Sequence, residues 1–210
     1  MKINLNFWKK AKEKTYPQAI TDYFALNRTR EEDASKIQYV IFDTESSSLS
    51  ISTAQLLSIG AVKVKENSIS MKDTFHSFVQ TAKYGQEGNI HIHEIMNEGK
   101  EKKQELKTVL LDFLAFIGNA VLVAHHAKHD VGLINRYLAD DFPGVRLVNE
   151  VIDTADLAIK NDQMENPSVK IKSENYSLDA LLKRFNISAV ERHTALGDAF
   201  STALLFLKIK

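Results

Sequence analysis

Three short segments of this chain carry acids and histidines at spacings that suit metal-dependent hydrolysis. The first is Asp43-Thr44-Glu45, which follows the apolar run YVIF at 39–42. In an extended strand, residues two apart point to the same side, so the two carboxylates would converge on one point. Paired like charges there are unfavourable without a cation between them. All-oxygen ligands select Mg²⁺ or Mn²⁺. In a chain with 13 Asp and 14 Glu, about one Asp-x-Glu arises by chance, so its place behind the apolar run carries the weight.

The second segment is LVAHHAKHD at 122–130, an apolar run leading into three histidines and Asp130. Asp130 can also be read as an acid that opens a helix, favoured there by the macrodipole. A rival reading makes His125, His126 and His129 a histidine metal site, although oxygen ligands elsewhere argue for an oxygen-bound ion. The third is HTALGD at 193–198. Residues five apart on one helix do not face one site. The geometry works with Asp198 on a helix and His193 in the loop before it, so that the imidazole can swing over a metal held by Asp198. The plainer reading of His193 is an exposed residue at a helix start.

These groups need elements to position them. YVIF reads as a buried strand, LLSIGAVKV (56–64) as a second, and 68–79 as a third after a turn at Asn67-Ser68; together they form an antiparallel meander. Residues 81–100 read as loop. Leu106, Val109, Leu110, Phe113, Leu114 and Ile117 give a helix that Gly118-Asn119 ends. A strand at 121–124, a helix at 130–138, a strand at 147–152 and a short helix at 155–160 follow. Residues 161–175 read as a polar, mobile loop. Ser177 caps the helix of LDALLKRF, and a last helix spans about 194–208. Strands first, then strands alternating with helices, predict an α/β fold: a mixed sheet flanked by helices.

Composition narrows the function. The 210 residues suit one domain and hold no room for a polymerase beside it. Basic and acidic residues number 27 each, so bulk positive charge cannot hold nucleic acid. Cysteine is absent, which excludes disulfides, zinc–thiolate sites and cysteine nucleophiles and fits a reducing cytoplasm. No signal peptide or membrane span is visible, so a cytoplasmic protein is expected. Residues 1–36 stand apart: Lys9, Lys10, Lys12 and Lys14 form a basic cluster before the helical ITDYFALN. They read as a helical extension to a domain at 37–210, either a solvated arm packed on it or a docking arm for nucleic acid or a partner.

Together the segments resemble the DEDDh (DnaQ-like) 3′–5′ exonucleases, which have a ribonuclease-H-like fold. FDTESSSL (42–49) resembles their first motif, LVAHHAKHD the second and HTALGD the third. YSLDALLKRFNI (176–187) and HIHEI (91–95) resemble further family segments. The likeness covers about 37–208 and is greatest to the branch of the proofreading epsilon subunit of bacterial DNA polymerase III. It implies that Asp43, Glu45, Asp130 and Asp198 bind two divalent cations, Mg²⁺ or Mn²⁺, and that His193 is the general base. It further implies that Ser46 and Leu49 contact the terminal nucleotide, with His93 either lining the site or structural. Ser48, Glu94 and His129 replace the family's usual Gly, Gly and Phe. The implied function is 3′–5′ hydrolysis of single-stranded DNA ends, in proofreading beside a separate DNA polymerase or in repair. The alternatives are an exoribonuclease of the same fold and a non-catalytic nucleic-acid-binding module.

Overall fold

The computed structural model describes residues 15–28, 37–80 and 102–210. The basic cluster at 9–14, the segment 81–101 and His93 with its HIHEI neighbours lie outside the described residues. The elements are α1 (Gln18–Arg28), β1 (Gln38–Ser46), β2 (Leu56–Lys65), β3 (Ser68–Phe78), α2 (Leu106–Ile117), β4 (Val121–Ala124), α3 (Lys128–Asp141), β5 (Val151–Asp153), α4 (Thr154–Glu165), α5 (Leu178–Arg184) and α6 (Ala195–Ile209). A single five-stranded sheet has the order β3-β2-β1-β4-β5. β1 pairs antiparallel with β2, and β2 with β3. β1–β4 and β4–β5 are parallel. The mixed α/β, ribonuclease-H-like sheet is therefore present.

Alternation along β1 sorts its side chains between two layers. Val40 and Phe42 enter the core made with α1, α2 and α3, which contains Ile20, Tyr23, Phe113, Leu114, Leu133 and Leu138. Ile41 enters the opposite core, against Ala203 and Phe206 of α6. A satellite cluster joins α4, α5 and α6 through Ala158, Leu181, Leu182 and Leu205. Ile20 and Tyr23 of α1 thus belong to the main core, and the Tyr23 hydroxyl accepts a bond from Val148 N at 2.8 Å.

Four local expectations change. The β2–β3 turn is Glu66-Asn67, because Lys65 pairs with Ser68 and Glu66 takes the left-handed φ of 56°. The strand expected at 147–152 is confined to 151–153, since the amides of Leu147 and Val148 donate to the side chains of Asn135 and Tyr23 and not to a strand ladder. α3 begins at Lys128, earlier than expected. The loop expected from 161 starts later: α4 continues to Glu165 because Asp162 accepts from Tyr176 Oη at 2.7 Å and pairs with Arg184 at 2.7 Å, while Asn161 bonds the Ile209 carbonyl at 2.7 Å.

Candidate active site

The parity that sends Ile41 towards α6 sends Asp43 and Glu45 the same way, and Asp198 meets them from the first turn of α6. One carboxylate oxygen from each of Asp43, Glu45 and Asp198 lies within 4.8 Å of the others. Two glycines permit this approach. Gly60 lies opposite Asp43 in the β1–β2 register. A Cβ on Gly60 would stand 2.2 Å from Ala195 C and Leu196 N, so only a bare strand position lets α6 begin there. A Cβ on Gly197 would stand 2.1 Å from the Glu191 carbonyl oxygen, so Gly197 lets the 190–193 loop fold back on the helix start.

Asp130 reaches the site from the other side of the strand. Thr44, of opposite parity to Asp43 and Glu45, donates to Asp130 Oδ1 from its backbone N–H at 3.1 Å and from its hydroxyl. Asp130 is 4% exposed and stands outside the tight trio. Asp153 fixes the segment that carries it. Its carboxylate accepts from the amides of His126 at 3.1 Å and Ala127 at 2.8 Å, and it caps α4 by accepting from Ala155 N at 2.9 Å.

The electrostatics are those of a crowded acid cluster. Burial first, then the charges of Asp130, Glu45 and Asp198, push Asp43 well above the usual carboxylate range. Burial and the Asp198 charge push Glu45 up to about 7. Burial raises Asp130 to about 7, against the pull of the two Thr44 bonds. Arg192 answers part of this charge, pairing through Nη1 with Asp198 and through Nε with Asp179 at 2.7 Å. The donor set is entirely oxygen, and its charges disfavour one another without a cation, so these residues fit a divalent cation that takes oxygen ligands.

The three histidines of the second segment do not form a metal site. His125 Nδ1 faces Thr154 Oγ1 at 2.8 Å, and burial, then the neighbouring His126, lowers its imidazole to about 4. His129 Nε2 contacts Ser46 Oγ at 3.1 Å. Among the described residues, the acid trio is the one group able to hold an ion.

His193 is exposed, with a left-handed φ of 67°, in the loop before α6. Thr194 caps that helix by accepting from Gly197 N at 3.1 Å, so His193 and Asp198 lie on opposite sides of the cap. Leu49 is 89% exposed in the loop after β1. α3 holds that loop through Arg136, which donates to the Ile51 and Ala54 carbonyls, and Tyr137 Oη, which donates to Ala54 O at 3.1 Å.

Sequence reasoning missed Thr44, Asp153, Asp179, Arg192 and the two glycines. A glycine inside the apolar run of β2 is a readable sign of close backbone approach. An arginine beside His193 in a segment otherwise picked out for its acid and imidazole was a second readable signal.

Comparison with known proteins adds to this geometry. The family model RNase_T, described as exonuclease, matches residues 40–206. The chain is 33% identical over 172 residues to a PolC-type DNA polymerase III of Halalkalibacterium halodurans, covering 82% of this chain and 11% of that protein. It is 31% identical over 187 residues to the Bacillus subtilis PolC-type DNA polymerase III, covering 89% of this chain and 12% of that protein. The chain thus spans about a tenth of the length of these relatives. Among solved structures, the zinc-bound E. coli ExoI–ssDNA complex superposes with TM-score 0.68 at 13% identity, over 82% of this chain and 40% of that one. Cell-death related nuclease 4 gives TM-score 0.62 at 10% identity, over 83% of this chain and 64% of that one.

Proposed function

The chain belongs to the RNase_T exonuclease family, and from that premise we propose that it removes nucleotides from the 3′ end of single-stranded DNA, using divalent cations and His193 as general base. The observation that carries this reading is the convergence of Asp43, Glu45 and Asp198 oxygens within 4.8 Å in a half-buried cluster. Bound there, a pair of Mg²⁺ or Mn²⁺ ions supplies charge relief on the phosphate and an acidified water.

The side chains divide the remaining work. Asp43, Glu45 and Asp198 hold the cations. Asp130 completes the set with Oδ1 fixed by Thr44, which sets the direction of its carboxylate. His193, in neutral form, accepts the proton of the attacking water. It stands in the loop before α6, on the chain segment that leads into Asp198. The exposed Leu49 offers an apolar surface to the terminal base, and Ser46, at the end of β1, faces the same nucleotide. A grip on few nucleotides needs no basic surface, which agrees with a net charge of zero.

The substrate and setting rest on relatives. A structural neighbour is an exonuclease described with single-stranded DNA, and the sequence relatives are DNA polymerases. They support a DNA substrate and proofreading alongside a polymerase. No helix among the described residues is long and apolar enough to cross a membrane.

A 5′-labelled single-stranded oligonucleotide incubated with Mg²⁺ or Mn²⁺ tests the proposal, with matched RNA in parallel. The expected result is a ladder shortening from the 3′ end of DNA, reduced at least a thousandfold in Asp43→Ala, an estimate on the scale of lost metal catalysis. Equal degradation by the two proteins would overturn it. Degradation confined to RNA would reassign the substrate and leave the chemistry.

A further inference from the structure

Arg192 sits inside the acid cluster as a cation that the chain itself supplies. Its Nη1 bonds Asp198 Oδ1, and its Nε bonds Asp179 Oδ1 at 2.7 Å. The Arg192 side chain is 20% exposed and that of Asp198 is 11% exposed, whereas Asp179 stands at the rim, 68% exposed. The backbone keeps Arg192 there: Gly197 lets Glu191 press against the first turn of α6, so residue 192 starts within reach of Asp198.

We propose that Arg192 is the resident counter-ion of the metal-free site and competes with the divalent cation for Asp198. The inference rests on the reading of Asp43, Glu45 and Asp198 as cation ligands. Asp198 belongs to the trio whose oxygens lie within 4.8 Å of one another, and the same Oδ1 that bonds the guanidinium is on that carboxylate. A dication among those oxygens would stand beside a fixed positive charge, and the two repel. Loading the site therefore works against the Arg192–Asp198 bond and favours withdrawal of Nη1. The guanidinium is a planar fork with several donors, so it can release one carboxylate while keeping Asp179 at the rim. The chain is thus stabilised while empty and yields to the cation at a concentration set by this contest. A lysine at 192 would keep the charge but could not span both carboxylates with one planar group.

The test is Mn²⁺ binding to the full chain, read as free Mn²⁺ by electron paramagnetic resonance, together with the unfolding midpoint in chelator. Arg192→Gln is expected to tighten Mn²⁺ binding on the order of tenfold, within the usual range of site–site coupling. The same variant should unfold at lower temperature in chelator and gain more from Mn²⁺ than the wild type does. Arg192→Lys, which keeps the charge and so folds more readily, should fall between the two in affinity. Mn²⁺ affinity that is unchanged or weaker in both variants would overturn the competition while leaving the cation site standing. Failure of every protein to bind Mn²⁺ at millimolar concentration would overturn both, and the oligonucleotide assay would then fail as well.

Discussion

The backbone of Ala195 occupies the space that a side chain on Gly60 would need: a Cβ there would lie 2.2 Å from the Ala195 carbonyl carbon and 2.5 Å from its oxygen. Because Gly60 is paired with Asp43, this contact fixes the start of α6 over the strand that carries two of the acids. It converts a missing side chain into the distance between Asp43 and Asp198.

Gly60→Ala should therefore separate the acids. The obstruction is backbone, which no rotamer change relieves, so α6 must shift. Overpacking of this kind costs about 1–3 kcal/mol. The expected outcome is a folded protein with a lowered unfolding midpoint and Mn²⁺ affinity reduced by more than the loss of stability explains. Wild-type affinity in a destabilised variant would show that the helix start does not set the site.

The raised carboxyls give the metal-free protein an unusual pH dependence. Glu45 moves from 4.5 to about 7, and Asp130 from 3.8 to about 7. A carboxyl raised in the folded state contributes stability that is fully present below its unfolded value. That stability is lost as pH climbs through the folded value. In chelator, the unfolding midpoint should fall between about pH 4 and 7 through these two groups, with Glu45 contributing about 1–2 kcal/mol once its partial exposure is discounted. Glu45→Gln should flatten the fall, and added Mg²⁺ should reverse it. A slope identical in wild type and variant would remove Glu45 as its cause.

How much of this was legible before the fold is clearest at β1. Strand parity alone placed Asp43 and Glu45 together, and the same rule predicts that Thr44 points the other way. What parity cannot supply is the partner, and Asp130 lies 86 residues from Thr44. The rival histidine site, which the oxygen ligands elsewhere argued against, dissolves because adjacency in sequence hid separate fates, with Thr154 beside His125 and Ser46 beside His129. α4 outran its expected end for a similar reason: Asp162 is held by Tyr176 and Arg184, contacts that no local pattern shows. The bounds of α6 were legible: the expected 194–208 and the observed Ala195–Ile209 differ by one residue at each end.

His193 offers a prediction that separates chemistry from folding. It is exposed and lies outside the helix, so its removal leaves no cavity. His193→Ala should lower the rate of 3′-end degradation by about 10²–10⁴, the usual worth of a positioned base. The unfolding midpoint and Mn²⁺ affinity should stay near wild type. Retention of most of the activity would show that another group takes the proton.

Thr44→Val isolates the support beneath Asp130. The exchange keeps shape and the backbone bond but removes the hydroxyl that donates to Asp130 Oδ1. The acid is 4% exposed, so water cannot readily replace that donor. A buried acceptor that loses a partner costs about 1–3 kcal/mol. The two Thr44 bonds also favour the ionised carboxylate, so losing one raises Asp130 further above its present value near 7. At neutral pH a larger share of Asp130 is then protonated and unable to serve a cation. Thr44→Val should thus weaken Mn²⁺ binding most at pH 6–7 and least above pH 8, whereas simple loss of packing would weaken it equally across that range. A pH-independent change in affinity would show that Thr44 acts only as filling beneath the strand.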